Sequence, residues 1–274
     1  MLIIDMHVHS TFSDGTFTPE ELAAEAHRRG LWLLSLTDHD TTSGLASFAK
    51  ACEKQKLKYL CGIELSADAP YTLHILGHRI TPGAGRLEER LEHIRVMRDE
   101  RNVRMCEKLQ AQGIDITLED VIAESGGEVV ARPHIARLLI KRGYASSVAE
   151  AFAKYIGRGG IAYVERERLS AEECIALIRE AGGVATLAHP AQCGLDDDAL
   201  EKLLIKLKDA GLWGMEAIYG ANTPELTYSH LKLAEKLGLC TTAGSDFHGA
   251  NSPGRELGMV VSESLLPWAR LGIA

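Results

Sequence analysis

The stretch DMHVHSTFSDGT, residues 5–16, sets two imidazoles two positions apart after an apolar run and follows them with a carboxylate, Asp14. Side chains alternate along a strand, so His7 and His9 share a face. Neighbouring imidazoles repel once protonated and gain little while neutral, whereas a divalent cation uses the neutral lone pair of each ring. A pair of polar residues at a strand end has the same spacing, so this motif alone leaves both readings open. The rest of the chain repeats the chemistry. TDHD places His39 between Asp38 and Asp40, GIEL carries Glu64, LHIL carries His74, AHP carries His189, and SDFH carries Asp246 and His248.

These residues need a scaffold that brings them together. Alternating apolar runs predict strands at 2–7, 32–37, 59–65, 72–77, 184–189, 214–219 and 240–246. Helical patterns fall between most of them. In the first, Thr18 is an N-cap, Pro19 suits the first helical position and Gly30 stops the helix. The connection 66–71 is too short for a crossover helix and reads as a tight turn. Residues 86–160 break the alternation with helical patterns at 85–113, 117–125, 133–142 and 147–156, and the next strand-like run is IAYV at 161–164. The fold class is therefore α/β: a barrel of seven strands from residues 1–85 and 161–274, with a helical insertion at 86–160. Residues at strand ends of such a barrel converge on one mouth. Nine unrelated polar residues in one pocket would each need a separate hydrogen-bond partner, so a polynuclear metal centre is the better reading.

Bulk properties exclude several classes. The net charge is −8, and residues 86–160 hold 13 basic and 12 acidic residues, leaving the remainder at −9. That balance disfavours long duplex DNA as a partner, so an anionic substrate must be gripped locally. No segment approaches the roughly 20 apolar residues of a membrane span. The start MLIIDMHVH lacks the basic region of a signal peptide. Six cysteines show no Cys-x-x-Cys pair and read as reduced thiols of a cytoplasmic protein.

The segments HVHSTFSDG, TDHD, GIELS, LHILG, AHP and SDFHG, in that order, resemble the PHP (polymerase and histidinol phosphatase) family of metal-dependent phosphoesterases across essentially the whole chain. The resemblance implies a distorted (β/α)₇ barrel with two or three divalent ions. Carried over by position, His7, His9, Glu64 and Asp246 would hold one ion, Glu64, His74 and His189 a second, and Asp14, His39 and His248 a third. Glu64 is the only glutamate of the set, and a carboxylate can bridge two cations. Three dications against three carboxylates leave positive charge for a phosphate. The donors are nitrogen and oxygen; Mn²⁺ is the first expectation, with Zn²⁺ or Fe²⁺ as alternatives. Water bridging two ions would attack phosphorus as hydroxide. Asp38 and Asp40 would orient the ligand between them.

Within the family, RDERN, ARPHIAR and GRGGIAYV resemble the subgroup acting on nucleoside 3′,5′-bisphosphates and short 5′-phosphorylated oligoribonucleotides. By that resemblance Arg101, Asn102 and His134 would contact the phosphate or ribose that is not cleaved, and Arg158 is a weaker candidate. Against this, Arg98, Arg101 and Arg104 have the i, i+3 spacing of a solvated face. His27, His93 and His230 read as solvent-facing, Cys193 as a spectator, and Asn222 as a residue at the mouth. His78 stands where the family more often has an aromatic residue. Histidinol-phosphate phosphatase and a non-catalytic, metal-stabilised partner-binding module are the alternative functions. An amidohydrolase is disfavoured because no lysine stands at a strand end to bridge metals as a carbamate.

Overall fold

The structure, a computed structural model, describes residues 1–83, 85–125, 130, 132–165 and 168–273. The chain divides into two compact units, Met1–Glu89 with Arg168–Ala274, and Arg90–Glu167. In chain order the elements are β1 (Leu2–Val8), α1 (Pro19–Arg28), β2 (Leu33–Leu36), α2 (Leu45–Gln55), β3 (Lys58–Ser66), β4 (His74–His78), α3 (Gly85–Ala111), α4 (Leu118–Ser125), α5 (Arg132–Lys141) and α6 (Val148–Ala151). They continue with α7 (Ala171–Glu180), β5 (Val184–Leu187), α8 (Asp197–Asp209), β6 (Gly214–Tyr219), α9 (Pro224–Leu237), β7 (Cys240–Gly244) and β8 (Met259–Val261). Local sequence explains the helix starts. Thr18 and Ser170 each form a capping box with the glutamate three residues on, Glu21 and Glu173.

The first unit is an α/β fold around one eight-stranded, barrel-like sheet, in the order β7-β6-β5-β4-β3-β2-β1-β8. Its two ends approach beyond β7, where Val8 bridges Phe247, the His9 N–H donates to Phe247 O at 2.9 Å and the Asp246 N–H donates to His7 O at 2.9 Å. The sheet is thus mostly closed at the end that carries the histidines. Apolar side chains of several strands, including Ile4, Met6, Leu33, Leu60 and Ala243, fill a core cluster of this unit.

Two features distinguish this sheet from a regular seven-stranded parallel barrel. β4 runs antiparallel to both β3 and β5, because the short connection after β3 reverses the chain instead of carrying it over the sheet. β8 adds an eighth, antiparallel strand on β1, and its three residues are too few to show a period. IAYV forms no strand; the Ala162 N–H donates to Tyr155 O at 2.8 Å, within a turn.

The second unit has its own core, built from Met105, Leu109, Val121, Ile135, Leu139 and Ile156 among others. α6 runs into a wider π-helical turn at Phe152–Ile156.

Candidate metal centre

β1 carries one residue more than β2 between Asp5, which pairs with Leu34, and Val8, which pairs with Leu36. The strand's own alternation persists through this irregularity: Ile4 and Met6 share one face and join the apolar cluster, while His7 and His9 share the other and both turn to Glu64. His74 is the first residue of β4, and the reversed direction of that strand sets it opposite Ser66 at the far end of β3. Asp40, His189 and Asp246 have φ values of 50°, 25° and 57°. Left-handed backbone is costly for such residues and persists where surrounding contacts hold it.

The side chains converge on one buried carboxylate. Glu64 Oε1 lies 2.9 Å from both His74 Nδ1 and His189 Nε2, and those two nitrogens are 3.3 Å apart. Glu64 Oε2 lies 3.1 Å from His7 Nε2, 3.2 Å from His9 Nε2 and 3.1 Å from His39 Nδ1. Asp246 Oδ1 is 3.5 Å from His7 Nε2 and 3.4 Å from His9 Nε2. Asp14 Oδ1 lies 3.2 Å from His248 Nε2, and Asp14 Oδ2 is 3.9 Å from His39 Nε2.

Among the described residues, three groups of donors can hold a cation: His7, His9, Glu64 and Asp246; His39, Glu64 and His74; and His9, Asp14, His39 and His248. His189 stands with Glu64 and His74 by the distances above. Relative to the sets carried over from the family, His9 and His39 each face two groups, through different ring nitrogens. His7 Nε2, His9 Nε2, His39 Nδ1 and Glu64 Oε2 are all buried without a hydrogen-bond partner, although they crowd one another. Orphaned lone pairs aimed at a common point fit a divalent cation, and the donor set suits one.

Electrostatics follow from this crowding. Burial opposes ionisation of Glu64, but His39, His7 and His74 outweigh it and hold its carboxyl well below the usual range. Asp246 is likewise buried and Asp14 stands half exposed at the rim, and their histidine neighbours hold both below the ordinary carboxylate value. Burial also opposes protonation of His9, yet Asp246 and Glu64 push it up to about 10. Burial takes His39 down to about 4.

Several surrounding residues were not evident from sequence. Glu216 places Oε1 3.1 Å from His7 Nδ1 and accepts the His189 N–H on Oε2 at 2.8 Å. It stands as one acid within the otherwise apolar GMEAIY, which was an available signal. The Tyr219 hydroxyl donates to Asp246 Oδ2 at 3.0 Å, and Arg255 pairs with the same oxygen while stacking over the Tyr219 ring. Asp38 does not orient His39. It accepts from the Ser10 N–H, the Ser10 hydroxyl and the Ser13 hydroxyl at 2.7, 2.6 and 2.6 Å, pinning the loop that carries Asp14. Asp40 accepts the Ser66 N–H at 3.0 Å.

The insertion residues belong to the second unit. Arg98 and Arg101 are buried, so the solvated-face reading fails for them, while the side chain of Arg104 is 62% exposed. Arg101 donates to Asn102 Oδ1 at 2.8 Å, and Asn102 donates to Val130 O at 2.9 Å. His134 is half-buried in the first turn of α5; Ala131 of the ARPHIAR motif lies outside the described residues. Arg158 is at the surface, 3.1 Å from Glu165.

Among the remaining histidines, His27 and His93 are exposed, but His230 is buried, 3.4 Å from Asn222. That contact turns Asn222 toward α9 rather than the mouth. His78 is buried between Ser35 and Thr186, and burial drops its pKa to about 3. Cys193 is buried too, which pushes its thiol up to about 11.

Comparison with known proteins agrees with this geometry. Residues 5–181 match the family described as PHP domain. The chain is 35% identical to a 3′,5′-nucleoside bisphosphate phosphatase of Chromobacterium violaceum over 272 residues, covering 98% of this chain and 95% of that one. It is 32% identical to a 5′-3′ exoribonuclease of Haemophilus influenzae, covering 96% of each. A solved structure from Chromobacterium violaceum, described as an amidohydrolase with bound sulfate and no metal, superposes with a TM-score of 0.83 at 33% identity, over 98% of this chain and 95% of that one.

Proposed function

The chain belongs to the PHP domain family and is a metal-dependent phosphoesterase acting on small phosphorylated substrates, and from that premise we propose that those substrates are small nucleotides. Nucleoside 3′,5′-bisphosphates come first, with short 5′-phosphorylated oligoribonucleotides as the related class. The observation that carries the hydrolytic reading is the ring of buried, unpartnered donor atoms around Glu64 Oε2. Bound divalent ions, Mn²⁺ first and Zn²⁺ or Fe²⁺ as alternatives, would supply Lewis acidity toward the phosphoryl oxygens and an activated water.

The chain's own residues set the conditions for that chemistry. Glu64 offers one oxygen to His74 and His189 and the other to His7, His9 and His39, so it joins two groups of donors. Tyr219 and Arg255 hold Oδ2 of Asp246 and leave Oδ1 toward His7 and His9. Few carboxylates among many neutral donors would leave net positive charge for an anionic ester. The nucleotide class is supported by the activities of the two relatives, each matched over nearly its whole length. Arg101, Asn102 and His134 are the proposed contacts for the phosphate that remains, on the chemistry of arginine toward phosphate.

The test is hydrolysis in Mn²⁺ of adenosine 3′,5′-bisphosphate and histidinol phosphate, read as released phosphate, and of a 5′-phosphorylated RNA dinucleotide, read as released nucleoside 5′-phosphate, with Glu64→Gln as control. Preference for either nucleotide, lost in the variant, is the expected result. Turnover of histidinol phosphate alone would overturn the nucleotide assignment.

A further inference from the structure

Resting on the reading of the Glu64 cluster as a metal centre, we infer that Glu216 is a positioning residue that sets the tautomer of His7 and anchors the strained backbone of His189. It thereby ties a donor of one group to a donor of another. Glu216 is buried on β6. Its Oε1 and Oε2 lie 3.1 and 3.3 Å from His7 Nδ1, and Oε2 also accepts the His189 N–H at 2.8 Å.

Both Glu216 oxygens face His7 Nδ1, and a carboxylate accepts hydrogen bonds there. The proton that His7 keeps on binding a cation therefore sits on Nδ1, which offers Nε2 as the ligand atom. That atom is the buried, unpartnered one, 3.1 Å from Glu64 Oε2. The ring is held between His9 and His189, with centroids 5.1 and 5.7 Å away. Gly244 makes the contact possible, because a Cβ there would fall 2.5 Å from Glu216 Oε1 and closer still to His7 Cβ. On the other side, His189 has φ 25°, a conformation that needs external support. Glu216 Oε2 supplies it at the N–H, and the Gln192 N–H donates to His189 O at 2.8 Å.

The inference separates from a purely structural hydrogen bond by the order of two substitutions. Glu216→Gln keeps the volume. To satisfy the His189 N–H its amide oxygen must face that group, which turns the NH₂ toward His7 Nδ1. His7 then accepts on Nδ1 and carries its proton on Nε2, the atom needed for a cation. Glu216→Ala removes both partners and leaves His7 free to adopt either tautomer. A tautomer role therefore predicts that Gln is worse than Ala. A packing role predicts the reverse, because Ala opens a cavity and Gln does not.

The experiment is Mn²⁺ binding by equilibrium dialysis on the full chain and both variants, with ¹⁵N-histidine NMR of the Zn²⁺-loaded wild type to read the His7 tautomer. The expected results are a proton on His7 Nδ1, Mn²⁺ affinity lowered about 10- to 100-fold in Glu216→Gln, and a smaller loss in Glu216→Ala. A wild-type proton on His7 Nε2, or Glu216→Gln binding as well as Glu216→Ala, would overturn the inference. The NMR result stands even where a variant does not fold. A wild type that binds neither Mn²⁺ nor Zn²⁺ would instead overturn the metal reading on which the inference rests.

Discussion

The Glu64 carboxylate and the His74 imidazole meet at 2.9 Å, Oε1 to Nδ1, across two strands that run in opposite directions. The relationship exists because β4 reverses, so its first residue lies beside the last residues of β3. Glu64→Gln replaces the carboxylate common to two groups with an amide that offers one acceptor oxygen and no charge, and is expected to lower turnover by at least about a hundredfold; His74→Gln alters one group and costs less. Metal content per chain, measured beside turnover in both variants, checks this. Equal losses in the two would contradict the shared role of Glu64.

Proton competition gives a second prediction. His9, pushed up to about 10 by Asp246 and Glu64 against the effect of burial, holds its proton at neutral pH without a cation. A cation must displace that proton, so affinity rises with pH up to that value and falls by about tenfold per unit of acidification for each proton released. Mn²⁺ titration calorimetry in buffers of different ionisation enthalpy counts the protons. Binding with no proton release at pH 7 would refute the assignment.

Acid lability is expected from His78. In the unfolded chain its imidazole takes a proton below about 6.5, whereas burial keeps the folded form neutral until about 3. The unfolded state binds more protons within that window, so folding stability is full above it and falls with pH through it, by up to about 5 kcal/mol. Urea midpoints at pH 7 and pH 4.5 should fall less for His78→Gln than for the wild type. Equal slopes would assign acid unfolding to other groups.

Asp246 provides a fourth test through the residues that hold its far oxygen. Tyr219→Phe removes one hydrogen bond from an uncharged donor, whereas Arg255→Met removes a charged partner stacked on the same ring. Turnover is expected to drop by about tenfold in the first and about a hundredfold in the second. Kinetics under saturating Mn²⁺ would show the ranking, and a larger effect of Tyr219→Phe would reverse it.

The sequence by itself determined the donor chemistry. Which atoms can bind a cation is a property of residue type, and strand ends are legible from apolar runs bounded by polar residues. His7, His9, Asp14, His39, Glu64, His74, His189, Asp246 and His248 are therefore legible from sequence alone, and the helix start at Thr18 follows from local capping. Tertiary structure alone decided how those donors group. The reversal of β4 delivers His74, and Glu216 reaches His7 from 209 residues away. Arg255 and the buried Arg98, Arg101 and His230 are further cases. Spacing along the chain reports a residue's near neighbours, whereas burial and long-range pairing depend on how strands are ordered and directed, which no short segment encodes.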